Sequence, residues 1–216
     1  MSDVTTVESN TGNVAERTVG GKWQPRFESP LHHVEILGQQ VPAPTVFINE
    51  EVGLSHLVLR GNPANPEFIE GARKALGLGL PLEAGASSEN DTTRVFWLAP
   101  DEWLVIGERG KAADIEQSLR QNLEGHFAVT DVSGGQTLVT LSGPNAMQVL
   151  KKSTPYDVDM RKFPVGKCIG TVLAKAQVQM RRVSEDSVEL IIRRSFADYL
   201  WLWLVDASRE YGLAYK

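Results

Sequence analysis

The order of secondary-structure signals repeats once along the chain, and this repeat constrains the fold more than any other feature. Each half shows a strand-like segment, a glycine, a helix with proline near its start, two strands and a second helix. The stretches LVLRGNP (57–63) and LVTLSGP (138–144) occupy equivalent places, with Gly61 and Gly143 82 residues apart. Two split βαβ units of this kind predict helices stacked on antiparallel sheet.

The predicted fold class is therefore α+β, with two pseudo-repeated ferredoxin-like units at about 54–133 and 135–212 inside a domain of residues 27–216. Residues 1–26 are polar, and we expect them to form a mobile N-terminal arm. Helices are predicted at 65–77, 111–123, 144–152 and 195–212. Strands are predicted at 55–61, 94–99, 102–107, 126–133, 136–143 and 186–194, and the segment 168–183 is either one long strand or two short ones.

Charge is unevenly distributed along the chain. The formal net charge of −5 argues against nucleic acid as a partner. Residues 1–150 hold 10 Lys/Arg and 19 Asp/Glu, whereas residues 151–194 hold 10 and 5. This asymmetry indicates either two differently solvated surfaces or a basic face that meets an acidic partner.

Several sequence features indicate the cellular compartment in which the protein resides. It has no apolar run of about 18 residues, which predicts no transmembrane helix and no membrane partner. The N-terminus lacks the basic and apolar regions of a signal peptide. Cys168 is the single cysteine, so no intramolecular disulfide can form. A cytoplasmic protein fits these features best.

Motifs that carry chemistry are scarce. No glycine-rich segment matches a phosphate-binding pattern, and no Walker lysine is present. None of the four histidines has the spacing of a zinc site, so we expect surface or structural roles for them and no metal site. They are His32, His33, His56 and His126.

Two further features have a catalytic interpretation and a structural one. Cys168 follows Lys167, a cation that could lower the pKa of the thiol, but a lone cysteine is more often a packing residue. Asp101 and Glu102 share a turn, where acidic residues usually cap the backbone. The residues alone thus predict neither a catalytic nor a cofactor-binding site.

The segment 195–212 is predicted to be a helix that is apolar on more than one face. Ser195 and Asp198 suggest its start and Gly212 its end. A stripe suited to docking on its own sheet comprises Phe196, Leu200, Trp203, Leu204, Ala207 and Tyr211. The opposite side carries Trp201, Leu202 and Val205, which we expect to face another polypeptide or a second layer of this chain.

One segment resembles the folate-binding T-protein of the glycine cleavage system. The stretch 128–163 carries a D-x-S element, a strand and then Gly-Pro with a helix, as that family does. The corresponding residues are Asp131, Ser133, Gly143 and Pro144. The resemblance implies the fold of the T-protein folate-binding domain.

A longer resemblance covers most of residues 94–212. FWLAPDEWLVIG, DVSGGQTLVTLSGPNAMQVLKK, PYDVDMRKFPVGKC and RRSFADYLWLWLVDASREYG together look like the γ subunit of heterotetrameric sarcosine oxidase. The resemblance implies α, β and δ partner chains. It also implies oxidation of sarcosine to glycine, production of hydrogen peroxide and transfer of the methyl carbon to tetrahydrofolate. FAD, FMN and NAD would lie in the α and β chains, with no cofactor in this one.

The resemblance also indicates that this chain is not catalytic. T-proteins place an acidic pair just ahead of the strand that corresponds to 178–183, and here Ala176 and Gln177 stand at those places. Neither side chain can act as a carboxylate base. The alternative function is a free-standing folate-binding factor related to iron–sulfur enzymes, whose Lys-Gly-Cys motif is only approximated by GKCIG (166–170).

Overall fold

The computed structural model describes residues 14–16, 24–26, 28–34 and 43–215. Most of the predicted mobile arm, residues 1–26, lies outside the described residues. Within it, the strands β1 (Val14–Glu16) and β2 (Gln24–Arg26) pair antiparallel. No helix in the described part of the chain is long and apolar enough to cross a membrane.

Apart from the β1–β2 pair, the described chain folds into two larger sheets and four α-helices. The first sheet and its helices comprise β4 (Ser55–Gly61), α1 (Pro66–Leu76), β5 (Ser87–Glu89), β6 (Thr93–Ala99), β7 (Glu102–Gly107), α2 (Ala112–Asn122) and β8 (Phe127–Asp131). The second comprises β3 (Val46–Glu51), β9 (Gln136–Ser142), α3 (Ala146–Ser153), β10 (Cys168–Leu173), β11 (Ala176–Ser184), β12 (Ser187–Arg193), α4 (Ala197–Ala207) and β13 (Leu213–Tyr215).

The first sheet has the strand order β5-β6-β7-β4-β8 and is antiparallel throughout. Helices α1 and α2 cover one of its faces, where Phe68, Trp103 and Leu119 are fully buried in one apolar cluster. As predicted, α1 begins beside Pro66 and ends at Gly77, which adopts a φ of 70°. The side chain of Asn65 caps α1 by accepting a hydrogen bond from the backbone nitrogen of Glu67.

The second sheet has the order β10-β11-β12-β9-β3-β13. It repeats the first arrangement, but β3 is inserted between β9 and β13. β3 pairs antiparallel with β9 and parallel with β13. The predicted α+β fold with two repeated units is confirmed, and the ambiguous segment 168–183 is two strands. The sequence pattern did not reveal β3, because a single six-residue strand outside the repeat carries no periodic counterpart.

The two repeat-related glycines are required by close packing. A Cβ atom on Gly61 would lie 2.2 Å from the ring of Phe68, which anchors α1. Gly143 has a φ of 108°, and its Cβ would lie 2.5 Å from the carbonyl oxygen of Thr45. Each glycine therefore lets the chain leave its strand at a point where no side chain fits.

The faces of the two sheets that carry no helix pack against each other. The residues of this inter-sheet layer come from both sheets and include Phe96, Leu104, Ile106, Leu138, Cys168 and Ile191. The fold is thus helices, sheet, sheet, helices. Alternation along the strands supports this order, since Trp103 and Val105 of β7 face the helices while Leu104 and Ile106 face the second sheet.

A buried ionic network crosses the same layer. Arg181 donates from Nε to Glu189 at 2.8 Å and from a terminal nitrogen to Glu89 at 2.7 Å. Arg94 contacts Glu189 at 3.1 Å and Glu51 at 3.0 Å. The side chains of Arg181 and Glu189 are only 4% and 5% exposed. Burial raises the pKa of Glu189 against the lowering effect of the two arginines.

The last helix differs from its prediction. α4 starts at Ala197 after a 3₁₀ turn, Arg194–Phe196, and ends at Ala207. The N-cap residue is Phe196 and makes no side-chain hydrogen bond, so the predicted cap at Ser195 is wrong. The predicted docking stripe is correct in part: Leu200 and Leu204 are buried in the core, whereas Phe196 and Trp203 are 41% and 37% exposed.

Removing Arg181 should destabilise the chain strongly, because Glu189 would keep a buried charge with only Arg94 to offset it. We expect Arg181→Leu to lower the free energy of unfolding by about 3 kcal/mol, measured by urea denaturation. The matched control is Arg161→Leu, which breaks an exposed pair with Asp159 and should cost less than about 1 kcal/mol. Equal losses in the two variants would contradict a dominant role for the buried network.

Candidate functional site

A cavity of about 420 Å³ opens near the junction of the two units. Five parts of the chain line it: the segment 28–30, the turn from β3 into β4, the start of α2, the segment from the end of β8 to the start of β9, and Arg194 after β12. Its polar lining residues include Glu28, Ser29, Glu51, Ser55, His56, Arg109, Glu116, Asp131, Ser133, Gln136, Thr137 and Arg194.

His56 of β4 is the most deeply buried titratable group of the lining, at 1% exposure. Its backbone is fixed, since its nitrogen donates to Ser133 Oγ at 2.9 Å and its oxygen accepts from Val132 at 2.8 Å. Its side-chain Nδ1 is buried and has no hydrogen-bond partner in the described part of the chain. Burial lowers the pKa of His56 to about 4, outweighing the raising effects of Gln136 and Asp131, so the ring is neutral at pH 7.

The D-x-S element lies at the rim of this cavity. Asp131 ends β8 and accepts hydrogen bonds from the hydroxyl and the backbone nitrogen of Ser133, at 2.5 and 2.9 Å. Ser133 in turn holds the backbone of His56. Asp131 and Ser133 therefore shape a turn that ties β8 to β4.

A second buried carboxylate anchors the segment 28–34 over the second sheet. Glu50 is 6% exposed and accepts hydrogen bonds from Ser29 at 2.7 Å and from Thr137 at 2.6 Å. These bonds satisfy the carboxylate without a cation. They also place Glu28 and Ser29 along the cavity wall.

The chemistry of the cavity suits binding more than catalysis. Ser133 Oγ donates to Asp131 and accepts from the backbone nitrogen of His56, so both bonds hold the turn between β8 and β4 in place. In the described ranges, no group of three His, Cys, Asp or Glu residues could hold a metal ion. What the site offers is a set of fixed donors and acceptors.

The other histidines and the acidic turn lie apart from each other. His32 lies 3.4 Å from Glu28, and His33 contacts Asp198 on α4 at 2.6 Å. Asp101 and its neighbour Glu102 both contact Arg60 of β4. None of these groups forms part of the cavity lining except Glu28.

Cys168 is fully buried in the inter-sheet layer. Burial raises the pKa of its thiol to about 12, and the nearby charge of Arg181 lowers it less. Lys167 points elsewhere and donates to the carbonyl oxygen of Lys162. The environment therefore matches the packing interpretation of this cysteine.

The positions expected for the acidic pair lie at the hairpin between β10 and β11. Ala176 is buried and Gln177 is exposed. Ala176 pairs with Leu173 in the strand register. Neither residue lines the cavity.

The three predicted interface residues do not share one surface. Trp201 is 8% exposed and packs edge-on against Tyr215 of β13, so this chain covers it. Val205 is partly buried against the same core, whereas Leu202 is 67% exposed. Leu202 lies instead beside Tyr199 and Trp203, and its role at an interface stays a prediction.

Comparison with known proteins places the chain in a family. The sequence model described as "Sarcosine oxidase, gamma subunit family" matches residues 60–210. The chain belongs to the sarcosine oxidase gamma subunit family. A relative named sarcosine oxidase subunit gamma, from Corynebacterium sp. (strain P-1), is 35% identical over 85% of this chain and 91% of its own length.

Solved structures agree with this membership. A chain of the heterotetrameric sarcosine oxidase from Corynebacterium sp. U-96, in complex with pyrrole 2-carboxylate, superposes with a TM-score of 0.78 and 32% identity. The match covers 87% of this chain and 97% of that one. The glycine cleavage aminomethyltransferase T from Bartonella henselae superposes with a TM-score of 0.60 at 17% identity, over 80% of this chain and 48% of its own, and so shares the fold.

His56 makes stability depend on pH. Its pKa is about 4 in the folded chain and about 6.5 when unfolded, so below pH 6.5 the unfolded state binds the proton preferentially. Stability should therefore fall by about 3 kcal/mol between pH 6.5 and pH 4 on account of this group. Urea denaturation across this pH range gives the free energies of unfolding of the wild type and of His56→Gln. The difference between them should shrink or reverse by that amount, whereas the difference between the wild type and the exposed-site control His126→Gln should not change. A wild-type-to-His56→Gln difference that is independent of pH would contradict the prediction.

Cys168 should be unreactive in the folded chain, because a thiol with a pKa of about 12 holds almost no thiolate at pH 8. We expect iodoacetamide to label the full-length chain only in urea, as measured by intact mass. Cys168→Ala should cost about 1–2 kcal/mol of stability and leave the assembled complex active. Rapid labelling under native conditions would show that the layer opens at this point.

Proposed function

We propose that this chain is the non-catalytic γ subunit of a heterotetrameric sarcosine oxidase. The observation that carries the proposal is the near end-to-end match to a chain of that heterotetramer, over 87% of this chain and 97% of that one. A match over most of both chains supports an equivalent place in an equivalent assembly. The partners would be α, β and δ chains.

Three features support a non-catalytic role. The positions of the T-protein acidic pair hold Ala176 and Gln177, which cannot ionise. Cys168 is buried with a raised pKa, which removes the one thiol from chemistry. The hydrogen bonds of Asp131 and Ser133 hold the turn between β8 and β4, which is a structural role.

The reaction of the assembly would be oxidative demethylation of sarcosine to glycine with O₂ as acceptor. Hydrogen peroxide would be produced, and the one-carbon unit would pass to tetrahydrofolate. FAD, FMN and NAD would be held by the α and β chains. The alternative of a free-standing folate-binding factor is not favoured, because the matching family model is that of the gamma subunit.

One face of α4 supports a subunit contact. Its side chains lie together on the helix and are exposed by 37–67%; they are Phe196, Tyr199, Leu202 and Trp203. We call this set the α4 face. A cluster of large apolar and aromatic side chains of this kind is typical of a protein interface. The residues that we propose for the interface are therefore Leu202 and its exposed neighbours, and Trp201 is not among them.

The test is co-expression of this chain with the products of its neighbouring genes. We expect a complex of four different chains with sarcosine oxidase activity, measured by intact mass and peroxide production. The chain purified alone should show no flavin absorption band and only weak binding of tetrahydrofolate. Failure of the wild-type chain to join any complex would refute the subunit proposal.

A substitution in the α4 face separates the interface from the core. Leu202→Asp should weaken assembly by about thirtyfold or more, because it places a charge in an apolar contact, and should leave the melting temperature of the isolated chain nearly unchanged. Trp201→Ala should instead cost the isolated chain about 3–5 kcal/mol of stability. Leu82→Asp, at another exposed leucine, is the matched control. Normal assembly of Leu202→Asp would rule out the α4 face as an interface.

A further inference from the structure

Positive charge is concentrated in one short part of the chain. Residues 151–175 hold six Lys/Arg and two Asp/Glu, a net charge of +4. The remaining residues hold 16 Lys/Arg and 25 Asp/Glu, a net charge of −9. The sequence leaves open whether these cations are dispersed or lie together, and the contacts between elements decide between the two.

The fold brings the cations together where three elements meet. The carbonyl oxygen of Ser153, at the end of α3, accepts a hydrogen bond from the backbone nitrogen of Ala174 in the β10–β11 hairpin at 2.6 Å. The loop 154–167 connects α3 to β10, and Thr154 at its start lies 3.1 Å from Thr171 of β10, hydroxyl to hydroxyl. We give the name basic surface to the exposed and half-buried cations of these elements, which are Lys151, Arg161, Lys162, Lys167 and Lys175.

A buried arginine fixes the shape of the loop 154–167. Arg182 of β11 is 3% exposed, and its guanidinium donates to the carbonyl oxygens of Val158 at 2.9 Å and Phe163 at 3.2 Å. It also donates to the carbonyl oxygens of Ser184 and Glu185. These oxygens are neutral, so the charge of Arg182 adds to the positive potential beneath the loop. A loop held in this way loses little conformational entropy when a partner binds to it.

The carboxylates within residues 151–175 are engaged by this chain. Asp159 contacts Arg161 at 2.8 Å. The hydrogen bond from Arg161 lowers the pKa of Asp159, and the nearby charge of Lys151 lowers it further. Asp157 accepts a hydrogen bond from the backbone nitrogen of Asp159 at 3.0 Å.

Two more carboxylates, Glu185 and Asp186, lie on the β11–β12 hairpin beside Arg182, and Asp186 accepts a hydrogen bond from Ser184 at 2.8 Å. They reduce the positive potential without pairing with the basic surface. Among the residues that the structure describes, four of its cations form no ion pair with a carboxylate; they are Lys151, Lys162, Lys167 and Lys175. The basic surface therefore keeps cations for an external carboxylate.

Exposed apolar side chains lie among and beside these cations. Met160 and Val165 of the loop are 38% and 56% exposed. Nε1 of Trp203, which belongs to the α4 face, donates to the hydroxyl of Ser153 at 3.0 Å. The end of α3 thus joins the basic surface to the α4 face. An apolar centre with a charged rim is the usual anatomy of a protein–protein interface.

We propose that the basic surface and the adjoining α4 face dock on an acidic polypeptide surface of another chain in the assembly. This inference rests on the proposed subunit function and adds the charge of the partner. A folded acidic partner is favoured over nucleic acid or an anionic membrane. The rest of the chain, at −9, would repel an extended polyanion, whereas a protein can place its carboxylates only opposite the cations.

The first test is zero-length crosslinking of the assembled wild-type complex with a water-soluble carbodiimide, which joins a lysine amine to a carboxylate in contact with it. We expect crosslinks from Lys151, Lys162 or Lys175 to Asp or Glu residues of another chain, located by mass spectrometry of the digested complex. The same lysines should also be acetylated at least about fivefold more slowly in the complex than in the isolated chain, because a docked partner covers them.

The second test is a charge reversal on the basic surface. The triple variant Lys151→Glu/Lys162→Glu/Lys175→Glu, co-expressed with tagged wild-type chain and the partner chains, should enter the complex at least about tenfold less often. The matched control makes the same change in net charge at exposed cations of the first unit, with Lys74→Glu, Lys111→Glu and Arg120→Glu combined. It should enter within about twofold of the wild type. Thermal melting of the isolated chains confirms that both variants are folded.

Three results would overturn the inference. One is a complex that forms carbodiimide crosslinks elsewhere but none from these lysines to another chain. The second is equal incorporation of the two triple variants. The third is binding of the isolated chain, lost in the basic-surface variant, to double-stranded DNA or to vesicles with about 30% phosphatidylserine.

The crosslinking result needs no variant, so it stands even if a substitution prevents folding. All three results leave the proposed subunit function intact when the wild-type chain joins the complex. Failure of the wild-type chain to join any complex is the separate outcome that refutes the subunit function, and this inference falls with it.

Discussion

The packing of the two sheets against each other is the constraint on which the rest of the structure depends. Each sheet buries one face under its own helices and the other face against its counterpart, so neither sheet has an apolar face left for solvent. Arg181 and Glu189 lie in this layer at 4% and 5% exposure. Separating the sheets would break the contacts of Arg181 with Glu89 and of Glu189 with Arg94, so the network favours one relative placement of the units over others.

The cavity is a consequence of this arrangement. His56 belongs to the first sheet and Gln136 to the second, and the turn through Asp131 and Ser133 joins the two where the units meet. The segment 28–34, held by Glu50, covers one side. A chain that contributes structure to an assembly can thus retain a polar binding surface, since the fold itself creates the space.

Helix α4 shows that an apolar pattern alone does not fix every residue of the docking face. Its apolar residues extend around most of the helix, so periodicity alone cannot say which side meets the sheet. The structure buries Trp201 beside Tyr215 and exposes Leu202. Trp201 is buried because Tyr215 lies on β13, a three-residue strand that pairs with β3. The local sequence gives no signal for the pairing of β13 with β3 or for the contact of Trp201 with Tyr215.

The sequence by itself determined the repeat, its helices and most of its strands, because strand alternation, helix spacing and the glycines at 61 and 143 are local properties. It also carried the family resemblance. Only the tertiary structure decided the insertion of β3 into the second sheet, the buried network at Arg181, and the cavity around His56. These depend on contacts between residues far apart in the chain, and on burial, which gives an isolated histidine an unsatisfied nitrogen and a lowered pKa.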